Sequence, residues 1–330
     1  MTSDTSPAAP RLDPVADPHT RLLVRVARMY HEQGLRQAQI AQALHISQPR
    51  VSRLLKRASD TGVVRVTVTE PAGVFTDLET QLEQGFGIDE AVVVDTGASA
   101  DVTAALGAAA AAYLEATLIG GDRIGISSWS ATLVAMAGAL RPFPQPVATS
   151  VTQLVGGIGQ SQVQVEANHL LTRLAAATSA EPIFLPAPGV VGTTAAHDAF
   201  VGDATVSSVA ARWDDLTIAL VGIGALDPSP MLDSSGNVLP APDRQTLSAA
   251  GAVGDVCLRY FDVDGAPVAS DLDTRVVGIT ADALRTVPRR IGVAGGTRKA
   301  EAIAGALRGG WVNVMIVDAA TARVLVGSLA

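Results

Sequence analysis

Lysine is almost missing from this chain. Of its 24 basic residues 22 are arginine, and only Lys56 and Lys299 break the pattern. Cysteine is rarer still. Cys257 stands alone, which excludes an intramolecular disulfide framework and fits a reducing compartment such as the cytoplasm. The ordinary place for such a residue is a buried strand. Aromatic residues make up 4% of the sequence and charged residues 17%, against 48% hydrophobic residues rich in Ala and Val. That balance excludes general disorder and suits an α/β domain of small side chains. No apolar run approaches the roughly 18 residues of a membrane span, so no membrane partner is expected. The opening segment, MTSDTSPAAPRLDPVADPHT, holds three aspartates and no apolar core, so residues 1–19 read as a disordered tail and not a signal peptide. GxSxG, HExxH and Walker sequences are all missing. His169 and His197 have no second His or Cys at metal-ligand spacing, so neither a metal nor a cofactor is expected.

What is present begins with charge. The net charge is −8, but from Thr20 to Thr69 nine Lys and Arg residues face only Glu32 and Asp60. A basic module on an acidic body points to a polyanionic partner for the module alone. Within it, Leu22, Leu23, Val26, Ala27 and Tyr30 recur at helical spacing and predict a first helix ending near Gly34. Ile40, Ala41 and Leu44 give a second, short helix its inner face, and His45-Ile46 makes a tight turn. Ser47 is placed to cap a third helix, Pro49 is tolerated in its first turn, and Val51, Leu54, Leu55 and Ala58 face inward until Gly62 ends it. VVRVTVT then alternates as a wing would, and Pro71 closes it. Residues 20–70 therefore read as a winged helix-turn-helix. Its third helix would enter the major groove of double-stranded operator DNA, with Gln48, Pro49, Arg50, Ser52 and Arg53 near base edges. Gln37, Lys56 and Arg57 complete the expected DNA-binding set, the last two as phosphate contacts. A solvated basic helix in a protein-interaction domain is the competing reading.

Residues 71–88 carry FTDLETQLEQGFG, a linking helix whose Phe75, Leu78 and Leu82 would pack on a partner chain or on the body. From 89 to 330, short Val/Ile/Leu runs alternate with Ala-rich helical segments, which predicts a Rossmann-like, mostly parallel sheet covered on both faces. Ligands of such sheets bind at the carboxyl ends of the strands. Four loops there have suitable chemistry. ISSWSATL offers Ser127, Ser128, Trp129, Ser130 and Thr132 at a helix start, where hydroxyls and backbone N–H groups can hold an anion. QLVGGIG offers Gly156 and Gly157 for close approach. VGIGALDPSP offers Asp227 as a hydroxyl acceptor or as a plain turn residue. AGGTRKAEAI offers Gly295, Gly296, a capping Thr297, and Lys299 in the first helical turn. A cation there opposes the helix dipole, so its favourable use is to meet an anionic or hydroxyl-rich ligand. In GAVGDVCLRYFDVDG, Asp255 starts a strand and could accept ligand hydroxyls, while Asp262 to Gly265 reads as a hairpin turn.

These segments, in this order from RVARMYHEQGLRQAQIAQALHISQPRVSRLLKRASDTGVVRV to RRIGVAGGTRKAEAIAGALRGGWVNVMIVDAATARVL, resemble the SorC family of sugar-binding, DeoR-like transcriptional regulators. The resemblance spans about Thr20 to Leu329. It implies the fold of glucosamine-6-phosphate deaminase and ribose-5-phosphate isomerase without their catalysis, and a homo-oligomer, dimer or tetramer, on paired half-sites. It implies a sugar, sugar phosphate or polyol effector. The family's phosphate-holding loop would fall on Ser128 to Thr132, with Gly156-Gly157, Asp255 and Lys299 around the pocket. Many members carry Trp-Gly-x-Thr here, whereas this chain has Trp129-Ser130-Ala131-Thr132; the added side chain would narrow the phosphate site and favour a free polyol. The competing function is a sugar-phosphate isomerase or deaminase with an appended DNA-binding domain. Its candidate bases would be Asp227, Asp255 and His197, none with a visible partner in the sequence.

Overall fold

The computed structural model describes residues 18–66, 71, 73–97, 101–158, 161–227 and 239–329, with 161–163 in backbone only. The chain divides into two compact units at Thr69/Glu70.

The first unit is three helices, α1 (Pro18–His31), α2 (Gln37–Leu44) and α3 (Gln48–Asp60). Pro18 and His19, expected in the tail, already belong to α1, where proline is tolerated in a first turn. Residues 1–17 lie outside the described residues. Val26, Ile40, Val51 and Leu55 form the core, with Leu22, Met29, Leu44 and Leu54 packed around it. Tyr30, expected on the inner face, is instead 40% exposed and sits edge-on to His31 with centroids 5.0 Å apart. Met29 takes the inward place, one residue earlier on the helical wheel. α2 opens with the Gln39 side chain accepting the Arg36 N–H at 2.9 Å. His45 closes it in a left-handed conformation at φ 53°. Ser47 holds the cap position of α3 but makes no side-chain capping bond. Between Gly62 and Val66 no strand forms, and the rest of the expected wing, residues 67–70, lies outside the described residues.

The second unit is built on a parallel sheet of seven strands among the described residues. They are β1 (Glu90–Val94), β2 (Asp122–Ile126), β3 (Ala148–Gln153), β4 (Glu181–Ile183), β5 (Ile218–Val221), β9 (Arg289–Val293) and β10 (Val314–Asp318), in the order β1-β10-β9-β5-β2-β3-β4. A small antiparallel sheet joins β6 (Gly224–Ala225), β7 (Gly254–Val256) and β8 (Arg259–Phe261). The two-residue period of each strand splits its apolar side chains between two cores. Ile218 and Leu220 join one core, Ala219 and Val221 the other; Val314 and Ile316 part from Met315 and Val317 in the same way. One face is covered by α5 (Val102–Thr117), α6 (Ala131–Ala139) and α7 (Ser161–Thr178), the other by the helices Ala300–Arg308 and Ala319–Gly327. The short α8 (Thr194–Val201) and α9 (Ala204–Ala210) precede β5, with Val206 and Val209 buried in a satellite cluster. The helix read as a linker, α4 (Thr76–Phe86), packs on β1 and on Ala319–Gly327, with Leu82 fully buried. Chain order runs from β2 out to β3 and β4, then returns to β5 on the other side of β2. That reversal puts a crevice at the carboxyl ends of β2 and β5.

Candidate functional site

A cavity of about 320 Å³ lies at that crevice. Three of its walls follow central strands: Ser127 and Trp129 to Thr132 after β2, Gly222 to Ala225 with Asp227 after β5, and Gly295, Gly296, Arg298 and Lys299 after β9. β7 adds Asp255, the β7–β8 turn adds Cys257 and Leu258, and the start of α5 adds Val102, Thr103 and Leu106. The volume suits a ligand of sugar size.

The β2 loop is organised by helix capping. Ser130 ends the extended chain and its Oγ accepts the Leu133 N–H of α6 at 3.4 Å. The same hydroxyl meets Thr132 Oγ1 at 2.8 Å, and Thr132 donates to the Val293 carbonyl at 3.1 Å, tying the loop to β9. Ser127 Oγ accepts the Gly222 N–H at 3.3 Å, tying it to β5. Ser128 turns away from the cavity: it is buried, donates to the Val155 carbonyl at 3.1 Å and accepts from Gln153 Nε2 at 2.7 Å. Gly156 and Gly157 are not on the cavity wall either. A Cβ at Gly156 would sit 2.2 Å from the Pro188 carbonyl, and one at Gly157 would sit 2.1 Å from Gln153 Nε2. Close packing therefore accounts for these glycines. Gly156 supports the site indirectly, because its carbonyl accepts the Trp129 indole N–H at 3.3 Å.

Asp255 lies within β7, opposite Gly224, and not at a strand start. Its Oδ2 accepts the Leu258 N–H at 3.0 Å, and its Oδ1 lies so close over Gly224 that a Cβ there would come within 1.9 Å. Burial is the main cause that pushes its carboxyl up to about 6, against the Leu258 N–H and the Lys299 charge, which pull it down. Cys257, expected in a strand, is in the β7–β8 turn, with φ 53° followed by Leu258 at 62°. Its thiol is pushed well up by burial, with the Asp255 charge adding, so it stays protonated.

Lys299 ends a short 3₁₀ turn, Thr297–Lys299, and caps the helix Ala300–Arg308 instead of sitting in its first turn. Thr297 makes no capping bond. Lys299 Nζ donates to the Ile223 carbonyl at 2.9 Å. Burial lowers its pKa, the neighbouring Arg298 lowers it further, and Asp255 opposes both. An ammonium has three donors, and the bond to Ile223 uses one of them. Asp227 is exposed on the wall; His197 pairs with Asp198 at 3.1 Å and is not on it. Arg298 and the α5 start were not singled out by sequence reasoning. Arg298 was legible in principle as a second cation at the same helix start.

In the first unit, Gln48, Pro49, Arg50, Ser52, Arg53, Lys56 and Arg57 are all exposed on α3, while Val51, Leu55 and Ala58 are buried on its other side. Gln37, at the start of α2, is half-buried. A basic, solvent-facing third helix of this kind matches the geometry that enters a major groove.

A helix-turn-helix unit followed by an α/β unit with a cavity at its strand ends defines a DNA-binding regulator with a ligand-binding body. The comparisons carry this further. Residues 71–327 match the Sugar-bind model, for a sugar-binding domain, and residues 15–73 match a MarR family model. The chain is 34% identical to the deoxyribonucleoside regulator of Bacillus subtilis (strain 168) over 311 residues, covering 94% of this chain and 98% of that protein. It is 30% identical to the sorbitol operon regulator of Klebsiella pneumoniae, covering 92% and 97%. The crystal structure of full-length SorC from Klebsiella pneumoniae matches with a TM-score of 0.70 and 29% identity, over 93% of this chain and 98% of that one. The chain belongs to the SorC family of sugar-binding transcriptional regulators. No helix among the described residues is long and apolar enough to cross a membrane.

Proposed function

We propose that this regulator controls a carbohydrate or polyol catabolic operon. Operator DNA is read by α3, and DNA affinity is set by a sugar, sugar phosphate or polyol bound at the ends of β2, β5 and β9. The chain acts as a homo-oligomer, dimer or tetramer, so that paired units meet paired half-sites. Ser127, Trp129, Ser130, Thr132, Asp227, Asp255, Gly295, Gly296 and Lys299 form the effector site, with Ser128, Gly156 and Gly157 supporting it from behind.

The observation that carries the effector reading is the presence of Asp255 and Lys299 on the same small cavity. A buried carboxylate and a desolvated ammonium are costly unless something hydrogen-bonds them. Each already spends part of its capacity on backbone, Leu258 and Ile223 respectively. Adjacent ligand hydroxyls, which donate and accept, complete both. The names of the two relatives, regulators of deoxyribonucleoside and sorbitol genes, point to the same ligand class.

A second reading, a sugar-phosphate isomerase or deaminase with an added DNA-binding unit, is favoured by one observation. A carboxyl raised to about 6 in a cleft is also what a general base needs. Turnover of sugar phosphates by purified protein, lost in Asp255→Asn, is its signature.

The test is a thermal-shift screen of the full-length protein against pentoses, hexoses and polyols, each paired with its phosphate, followed by gel retention with genomic fragments that the protein selects. Ligands that bind only the native state raise the melting temperature. At least one panel member is expected to do so and to change DNA retention, and Lys299→Met is expected to abolish both responses. A protein whose DNA binding ignores every stabilising ligand is a plain DNA binder, and the effector reading fails.

A further inference from the structure

Arg259 opens β8, directly after the Cys257-Leu258 turn that lines the cavity, but is itself buried and not on the cavity wall. Five hydrogen bonds match the five N–H groups of its guanidinium. Nε donates to the Ile279 carbonyl at 3.0 Å. Nη1 donates to the Asp273 carbonyl at 2.9 Å and to Asp273 Oδ1 at 3.4 Å. Nη2 donates to the carbonyls of Val276 at 3.3 Å and Gly278 at 3.2 Å. Four of the five acceptors are main-chain carbonyls of one short stretch, so the fork clamps residues 273–279 more than it pairs with a carboxylate.

Residues 275–279 run as a strand-like strip whose carbonyls alternate in direction. Those of Val276 and Gly278 meet Arg259, while those of Arg275 and Val277 accept the Val191 and Gly156 N–H groups, each at 2.9 Å. The Ile279 N–H donates to the Leu154 carbonyl at 2.7 Å, and Gly278 bridges to Val155. Residues 155 and 156 are the ones that hold the β2 loop, because Val155 accepts from Ser128 and Gly156 from the Trp129 indole. One guanidinium thus ties the Cys257-Leu258 wall of the cavity to the Trp129 wall, through a strip of chain that lines neither.

We propose that Arg259 is a positioning residue of the effector site, which sets Trp129 relative to the Cys257-Leu258 turn. Loss of the fork leaves the carbonyls of Val276, Gly278 and Ile279 without these donors. Buried carbonyls without donors are costly, so the strip rearranges to find others. Lysine does not replace the fork, because its three donors radiate from one nitrogen and cannot span acceptors spread over residues 273–279. The rearranged strip pulls on residues 154–156, and Trp129 loses its fixed acceptor. The role rests on the effector reading of the cavity for its purpose. The link between the two walls is measured without any ligand, so it can fail while that reading stands.

The experiment uses full-length protein labelled with 5-fluorotryptophan, as wild type, Arg259→Lys and Gly278→Ala. Trp129, Trp213 and Trp311 give three fluorine resonances, each assigned by its Trp→Phe variant. Gly278→Ala disturbs the strip and leaves Arg259 in place: a Cβ there would sit 2.9 Å from the Leu154 carbonyl and 3.1 Å from Val155 Cα. In both variants the Trp129 resonance is expected to move by more than its linewidth. Trp213 donates to the Gln153 carbonyl at 3.0 Å, next to the residues the strip holds, and is expected to move with it. Trp311 donates to the Gly265 carbonyl at 2.9 Å and lies under Arg285, away from the strip, and is expected to stay. Movement of Trp213 without Trp129 makes Arg259 a staple of the strip alone and overturns the role. A general loosening, seen as movement of all three resonances, overturns it too, as does a Trp129 signal that stays in place. If Arg259→Lys does not fold, Gly278→Ala decides by the same signals.

Discussion

Asp255 is where a single residue makes its chemistry measurable. Its carboxyl has an ordinary value of 3.8 and is raised to about 6, chiefly by burial. Between those values the folded chain holds a proton that the unfolded chain has released. Raising the pH through that window therefore costs stability, at about 1.4 kcal/mol per unit for full proton retention. Above about 6 the carboxylate is charged and accepts ligand hydroxyls. Effector affinity is expected to rise as pH passes through about 6 and then level off. Asp255→Asn, a neutral isostere, should flatten that profile and remove the fall in stability that wild type shows as pH rises to about 6. Titration calorimetry and thermal melts from pH 5 to 8 read both effects. A wild-type affinity that is flat across that range would remove Asp255 from the ligand. The same scale shows why some sequence expectations went elsewhere. Gly156 and Gly157 look like ligand-facing glycines in a one-dimensional reading. In three dimensions their missing Cβ atoms make room for the Pro188 carbonyl and the Gln153 side chain. Ser128 shares a loop with Ser127 and Ser130, but its hydroxyl is consumed by Val155 and Gln153.

At the scale of elements, α3 has one buried stripe and one exposed basic face, and the two are separable by experiment. Arg50 and Arg53 lie in its first half, and Lys56 and Arg57 further along. Side chains near the start of a recognition helix reach base edges, and later ones reach phosphates. Arg50→Ala is expected to cost roughly 1–3 kcal/mol on the preferred sequence and to relax choice at one base pair. Lys56→Ala should weaken binding to all sequences alike and reduce the salt slope by about one. Fluorescence anisotropy on specific and scrambled duplexes, at several salt concentrations, separates the two. Equal loss on both duplexes for Arg50→Ala would move Arg50 to the phosphate group. α4 carries a different lesson. Its amphipathic pattern was legible, but its partner was not. Leu82 fits the body's own core, against β1 and the helix Ala319–Gly327.

For the whole molecule, regulation requires that effector and DNA sites be linked, and linkage is reciprocal for binding free energies. If the effector changes operator affinity by some factor, operator DNA must change effector affinity by the same factor. Titrating effector into the full-length protein, with and without saturating operator duplex, measures one side of that cycle; titrating duplex with and without effector measures the other. The two factors are expected to agree and to lie within about 5–150-fold, the range of ordinary allosteric coupling. A factor of one on both sides would mean that the cavity does not govern DNA binding.

The sequence by itself determined the two-unit plan, the three helices of the first unit, the parallel order of strand and helix in the second, and the strand ends as the place of a cavity. Those features follow from charge segregation, from periods of 3.6 and 2, and from short apolar runs between Ala-rich helices, all local properties of the chain. Tertiary structure decided which residues of each loop face the cavity. It turned Ser128 inward and Ser130 into a helix cap, gave Gly156 and Gly157 to packing, and moved Lys299 one step back to a cap position. It also brought Val102 and Thr103 to the wall from a distant helix start, and set Arg298 on the same wall. The physical reason is that hydrogen-bond partners and close contacts come from residues far apart in sequence, such as Thr132 with Val293 and Lys299 with Ile223. No local pattern in the chain encodes them.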